Sequence, residues 1–193
     1  ALLVDARNRV WIGTYTGLSR IDARAALPRR WPGDEFRSDG LASERVHALL
    51  QDRDGLVWIG TWLGGVHLYQ PGADAFREFR AVADDPRGLP GRGVRAIEQD
   101  RDGSLWLGVQ EGGGLVRFDP ERGVQQRYQP GAIGERHLPS DRVQAITRDR
   151  DGSLWVGFAD AGLVRRRSGQ TGFERIDDGA DARARPVRPA GRG

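Results

Sequence analysis

Apolar and polar positions recur along this chain as a block. Val10-Trp11-Ile12-Gly13, Val57-Trp58-Ile59-Gly60, Leu105-Trp106-Leu107-Gly108 and Leu154-Trp155-Val156-Gly157 are short apolar runs, each preceded by a polar turn sequence. The tryptophans at 11, 58, 106 and 155 are spaced 47, 48 and 49 residues apart. A fixed period of this size marks a repeat architecture. Other positions keep step: Val46, Val94 and Val143 open a unit each time, and Trp31, Phe79 and Tyr128 each stand ten residues before Leu41, Leu89 and Leu138.

Each unit reads as four short strands, over 46–51, 56–61, 65–69 and 75–80 in the second copy. Gly, Asp and Pro clusters punctuate them. The dipeptide Asp54-Gly55 is a hairpin signal, because Gly accepts the positive φ of a tight turn. In the first copy Asn8 replaces that Gly, and Asn is the next best residue at positive φ. The second strand is apolar on both faces, whereas a sheet with one wet face would alternate. Two-sided burial is what a propeller blade needs. Solenoid repeats of this length are mostly helical or carry one strand per unit, so four strands favour blades. The expected fold is all-β: a β-propeller with four blades of four-stranded antiparallel sheet, part of a larger propeller. The blades fall at about 1–45, 46–93, 94–142 and 143–176. Gly13, Gly60, Gly108 and Gly157, inside the second strands, predict a bulge or a close approach by a neighbour.

Ala1 aligns with Ala48, so the first unit lacks the positions of Val46 and His47, and no spare strand is left to clasp a ring. This predicts a fragment, since open sheet edges are a liability. Residues 177–193, rich in Arg, Ala, Pro and Gly, hold too few apolar side chains to bury and are expected to be a disordered tail.

Composition narrows the function. Hydrophobic residues make up 38% and charged residues 30%, as in a water-soluble globular fold. With no Cys there is neither a disulfide framework nor a Cys-based metal site. No apolar run approaches the roughly 20 residues of a membrane helix, and no leader peptide is visible. The 30 basic residues are all Arg, yet the net charge is only +3. No basic stripe with interleaved aromatics appears, which argues against nucleic acid as a partner.

Candidate chemistry is sparse. Asp-x-Asp-Gly resembles the start of a calcium loop, but such a loop needs further oxygen ligands, and here an apolar strand follows at once. Turn chemistry explains the motif. His47, His67 and His137 share no metal-ligand spacing and occupy different repeat positions. They read as surface or satisfied histidines. Gly112-Gly113-Gly114 joins two strands and reads as a one-residue insertion rather than a phosphate cradle. No nucleophile elbow, Walker loop or dinucleotide fingerprint is present. No catalytic residue, metal or cofactor is therefore assigned.

Function is expected on the loops of one face, held by a rigid frame. In a four-stranded meander the loop after the second strand and the linker into the next blade emerge together. These segments diverge among copies while the frame repeats, as one asymmetric ligand would require. Tyr15 and Trp62 are suited to stack on a sugar or aromatic ring. Arg45, Arg92 and Arg142 are suited to hold a carboxylate or sulfate by bidentate hydrogen bonds. These five are the candidate ligand-binding residues.

The pattern Val-x-Ala-[Leu/Ile]-x-x-Asp-x-Asp-Gly-x-[Leu/Val]-Trp-[Ile/Leu/Val]-Gly resembles the two-component regulator propeller repeat. So do the linkers Gly40-Leu41-Ala42-Ser43, Gly88-Leu89-Pro90-Gly91 and His137-Leu138-Pro139-Ser140. The resemblance covers about residues 1–176. It implies a periplasmic or otherwise extracytoplasmic sensor module of a bacterial signal-transduction protein, binding a small molecule or carbohydrate. It also implies a signalling domain in the same full-length chain, usually a histidine kinase or diguanylate cyclase beyond a membrane span, and usually more than four blades. Two alternatives stay open. Streptogramin-type lyases are propellers with similar Asp-Gly-x-Leu-Trp repeats, although here the acids Glu44, Glu111, Asp141 and Asp160 are scattered. A protein-interaction platform is the other.

Overall fold

Strands form where the repeat places its apolar runs, and turns where it places Asn or Gly. The structure is a computed structural model that describes residues 1–22, 25, 27–34, 40–131 and 137–176. The first blade comprises β1 (Leu2–Val4), β2 (Val10–Thr14), β3 (Gly17–Ile21) and β4 (Arg29–Trp31). The second comprises β5 (Val46–Gln51), β6 (Val57–Thr61), β7 (Val66–Gln70) and β8 (Ala75–Phe79). The third holds β9 (Val94–Gln99), β10 (Leu105–Val109), β11 (Gly114–Asp119) and β12 (Gly123–Pro130), joined by the short β13 (His137–Leu138). The fourth holds β14 (Val143–Arg148), β15 (Leu154–Phe158), β16 (Leu163–Arg166) and β17 (Glu174–Ile176). Each blade is an antiparallel meander in chain order, and the whole is a four-bladed, all-β propeller. The first strands lie innermost: β1 and β2 pack on β5, β5 and β6 on β9, and β9 and β10 on β14.

One departure from a plain four-strand blade has a simple cause. β13 runs parallel beside β12, pairing Gln129 with His137 and Pro130 with Leu138. A single parallel bridge, Gly33 to Leu41, does the same in the first blade. The linker bends back to the blade edge so that its leucine is buried: Leu41, Leu89 and Leu138 are 0%, 3% and 0% exposed.

The hairpin turns take the predicted backbone. Asn8 has φ 58°, and Gly55, Gly103 and Gly152 have φ 81°, 93° and 84°. The first Asp of each turn does more than turn the chain. Its carboxylate accepts the indole N–H of the tryptophan six residues on: Trp11 to Asp5 at 2.8 Å, Trp58 to Asp52 at 2.7 Å, Trp106 to Asp100 at 2.8 Å and Trp155 to Asp149 at 2.8 Å. In the second blade the other oxygen accepts the backbone N–H groups of Asp54 and Leu56, at 3.0 and 2.8 Å. Each hairpin is thus clamped to its own core aromatic. Burial of Asp5 pushes its pKa up, but hydrogen bonds from Trp11 and Arg9 outweigh that and hold it below 3.8.

Three apolar clusters form between successive blades. Trp11, Leu18 and Trp31 meet Val46, Val57, Ile59 and Tyr69 between the first and second. Trp58 and Val66 meet Ile97, Leu105 and Leu107 between the second and third. Trp106 and Leu115 meet Ile146, Leu154 and Val156 between the third and fourth. The strand glycines make this approach possible. A Cβ on Gly60 would lie 2.7 Å from the Val94 carbonyl oxygen, and one on Gly108 2.7 Å from Val143 Cγ1. Both predicted consequences occur together, since the ladders also shift register at Val46/Ala48, Gly108/Val109 and Val143/Ala145.

The arginines cap this core. Arg20 lies over Trp11 and Trp31, 5.4 and 5.5 Å from the ring centroids, and Arg166 over Trp106 at 4.7 Å. A planar guanidinium stacks on aromatic faces as an ammonium does less well. The expected tail, 177–193, lies outside the described residues.

Candidate ligand face

Backbone hydrogen bonds bring the divergent loops together. Trp62 N–H donates to the Arg45 carbonyl at 2.9 Å, Gln110 N–H to that of Gly93 at 2.8 Å, and Ala159 N–H to that of Arg142 at 2.9 Å. Each linker is thereby tied to the loop after the second strand of its own blade. Gly65 N–H also donates to the Arg92 carbonyl at 2.7 Å, joining the second blade to the linker of the third. The frame is constant, while the loop residue is Trp62, Gln110 or Ala159 in turn and the linker residue is Arg45, Gly93 or Arg142.

Two cavities open on this face and share Trp62 as a wall. One, of about 590 Å³, is lined by Trp62, Arg95, Gln110, Glu111, Asp141 and Arg142 among others. The other, of about 500 Å³, is lined by Trp62, Asp34, Ser43, Glu44, Arg45 and Leu63 among others. Both volumes lie within the roughly 300–1,000 Å³ typical of small-molecule sites. Among the described residues no group of three or more His, Asp or Glu side chains is placed to hold a metal ion.

An aromatic row runs between the first and second blades. His47 stands edge-on to Tyr15, with centroids 6.3 Å apart at 83°, and against Trp62 at 5.4 Å. The Arg45 guanidinium lies over Tyr15, 5.9 Å from its centroid. Arg95 Nη1 is 3.2 Å from His47 Nδ1. A guanidinium only donates, so Nδ1 accepts and the ring proton is assigned to Nε2. That buried nitrogen has no hydrogen-bond partner among the described residues. Burial, then the positive charges of Arg95, the N-terminal amine and Arg45, hold His47 below 6.5, which keeps it neutral at pH 7.

The five residues singled out in the sequence distribute unevenly. Trp62 lines both cavities, Arg142 the first and Arg45 the second. Tyr15 and Arg92 line neither. Tyr15 is 71% exposed at the end of the aromatic row, and Arg92 lies 3.7 Å from Glu111. Arg142 also has an acidic partner, Asp160 at 3.4 Å. Glu111 and Asp141, far apart in sequence, share the first cavity. The reading from sequence missed His47 and Arg95. They hold equivalent places, one residue after the opening Val, where the third such residue is Gln144. That position varies between an invariant Val and an invariant Ala, which was the available signal. Of the other histidines, His67 is wholly buried and its Nε2 accepts Ala42 N–H at 3.2 Å, while its buried Nδ1 has no partner among the described residues. His137 is exposed in β13.

The two component regulator propeller family model matches residues 40–63, 88–111 and 137–160. The first unit, with Arg7 and Asn8 where the others have Asp and Gly, is outside the match. No curated protein sequence matches the chain. Among solved structures, it is similar to the extracellular domain of the putative hybrid two component system BT4673 from B. thetaiotaomicron. That likeness has 20% identity and a TM-score of 0.76, and covers 91% of this chain and 24% of that one. Virginiamycin B lyase from Staphylococcus aureus is similar at 16% identity and TM-score 0.66, over 92% of this chain and 55% of the lyase. PorZ of Porphyromonas gingivalis, a surface component of the type-IX secretion system, is similar at 16% identity and TM-score 0.66, over 88% and 26%. At these identities the likeness is one of fold. The chain spans about a quarter of the BT4673 domain, 24% of its length.

Proposed function

We propose that this chain, a propeller of the two-component regulator type, is a ligand-sensing module of a bacterial signalling protein, with no turnover of its own. It takes a small molecule on the loop face and passes its occupancy to a separate output domain in the full-length protein. The observation that carries the reading is the pair of small-molecule-sized cavities sharing Trp62, built from divergent side chains on a repeated backbone frame. Trp62 is the stacking platform. Arg45 and Arg142 reach the two cavities from either side, while Tyr15 and Arg92 form the outer rim. Carbohydrate, with apolar ring faces and many hydroxyls, suits an aromatic wall flanked by Gln110, Glu111, Asp141 and Arg95. The extracellular origin of the BT4673 domain supports an extracytoplasmic location.

A second reading rests on Glu111 and Asp141 in one cavity of a fold shared with virginiamycin B lyase. A paired acid and base there would make the face catalytic.

Thermal shift against a panel of mono- and oligosaccharides and small carboxylates separates these readings. A ligand that raises the Tm of the chain, unchanged after incubation and without effect on Trp62→Ala, supports the sensor. Turnover of a bound compound, lost in Asp141→Asn, supports the enzyme. Absence of any small-molecule shift beside a stable complex with a macromolecule would leave an interaction platform.

A further inference from the structure

The first cavity of the loop face is lined by four charged side chains, Arg95, Glu111, Asp141 and Arg142. Two of them already have a counter-charge: Arg142 has Asp160 at 3.4 Å, and Glu111 has Arg92 at 3.7 Å. Arg95 and Asp141 have no ion-pair partner among the described residues, and each is half-buried. The cavity therefore presents one open positive charge and one open negative charge. The repeat itself requires neither. Arg95 stands where the second and fourth blades have His47 and Gln144, and Asp141 where the linkers into the second and third have Glu44 and Arg92. A frame that folds with either sign or no charge at these places does not explain the pair by packing.

Both groups are steadied without being neutralised. Arg95 Nη1 donates to His47 Nδ1 at 3.2 Å. The neutral ring orients the guanidinium and leaves its charge and its other N–H donors available. Asp141 is fixed through the backbone around it. Its carbonyl accepts Val143 N–H at 3.0 Å, the Arg142 carbonyl accepts Ala159 N–H at 2.9 Å, and Arg142 N–H donates to Ser140 Oγ at 3.0 Å. A turn pinned on both sides, with its carboxylate open, is a preorganised contact. Gln110 and Gln144 add amides that both donate and accept.

We infer that the first cavity takes a small zwitterion, whose carboxylate meets Arg95, whose ammonium meets Asp141 and whose apolar body lies on Trp62. This rests on the ligand-sensing reading of the loop face and names the chemistry of its ligand. Other charge types fit less well. A neutral molecule filling the cavity takes water from both charges and gives neither a partner, which costs free energy. A monoanion pairs with Arg95 but faces the like charge of Asp141, and a monocation does the reverse. A zwitterion satisfies both groups and brings no net charge into the site. Two sources share this chemistry: a free α-amino acid with an apolar or aromatic side chain, and a sugar that carries both an amino and a carboxyl group.

The test alters the ligand first, so that it does not depend on a variant folding. Isothermal titration of the whole chain with L-amino acids and with muramic acid, where both ends of the probe are ionised, identifies the source. The tightest probe is then compared with its carboxamide, which keeps only the ammonium, and its N-acetyl derivative, which keeps only the carboxylate. Each should bind at least about tenfold more weakly, as expected for loss of a charge-assisted contact. Arg95→Gln should weaken the zwitterion about as much and leave the affinity of the carboxamide unchanged. Asp141→Asn should do the same with respect to the N-acetyl derivative, each pair forming a cycle that isolates one contact. Equal affinity for the zwitterion and either derivative overturns the inference. So does a neutral sugar that binds through Trp62 with an affinity indifferent to Arg95→Gln and Asp141→Asn, and that result leaves the sensing reading standing. If no small molecule of either series, charged or neutral, binds the chain, the sensing reading fails and this inference fails with it.

Discussion

Replacing Asp52 by alanine isolates the hairpin clamp. The substitution removes the acceptor for Trp58 Nε1, at 2.7 Å, and for two backbone N–H groups, at 3.0 and 2.8 Å. Trp58 is 2% exposed, so its indole N–H is left with no route to water. An orphaned buried donor costs about 1–3 kcal/mol. The two backbone amides lie at a turn open to solvent, where water replaces part of what is lost, so each adds about 0.5–1 kcal/mol. The total is about 2–5 kcal/mol. For a domain of this size each kcal/mol moves Tm by about 2–4 °C, so a central cost of about 3 kcal/mol lowers Tm by roughly 6–12 °C. Asp54→Ala, two residues on and solvent-exposed, should stay within about 0.5 kcal/mol of the parent. Thermal and urea unfolding measure both. A double-mutant cycle with Trp58→Phe, which lacks the donor, apportions the loss. The reasoning is refuted if the two aspartates cost the same, or if Asp52 and Trp58 couple by less than about 0.5 kcal/mol. A rise in Tm with calcium ion, abolished by Asp54→Ala, would restore the metal reading of the motif.

Other outcomes follow from the same structure. His47 is held below its ordinary 6.5 by burial and by Arg95, so the unfolded chain binds the extra proton more readily. Stability should therefore be full above pH 6.5 and fall as pH drops through and below it, and His47→Gln should flatten that part of the profile in urea titrations. Asp5, held below 3.8, adds a second loss only at more acid pH, as it protonates. Gly65 has φ 73°, and an added Cβ would press into the Phe79 carbonyl oxygen. Gly65→Ala should cost about 1–3 kcal/mol, while Gly72→Ala, with nothing within 4 Å, should be neutral by thermal unfolding.

Much of the fold was legible because the repeat states each rule several times over. The strands predicted at 46–51, 56–61, 65–69 and 75–80 differ from those observed by a residue or less at each end. Asn8 at φ 58° confirms that Asn stands in for Gly. The return of the linker as β13 was not legible, since two residues carry no periodicity. Nor was the Asp-to-Trp bond, because a separation of six residues matches no local hydrogen-bonding pattern and depends on the hairpin having formed. On the loop face, sequence singled out Trp62 as a divergent aromatic, and Arg45 and Arg142 as guanidinium groups suited to an anionic ligand. It missed His47 and Arg95 because they lie within strands, where alternation is read as packing. It could not show that Arg92 and Arg142 have carboxylate partners, since Glu111 and Asp160 approach them only through the loop geometry.

Among the described residues every antiparallel ladder joins strands that are consecutive in the chain, and no blade borrows a strand from another. Loop closure therefore costs little entropy for any single pairing, and non-local order enters only when one finished blade meets the next. A molecule assembled this way behaves as a one-dimensional array, its stability a sum of unit and nearest-neighbour terms, with nucleation open to any unit. Pairing within each blade is local in sequence, which favours speed in a class that otherwise folds slowly. Position along the array then decides how far damage spreads: a lesion in the second or third blade separates the blades on either side of it.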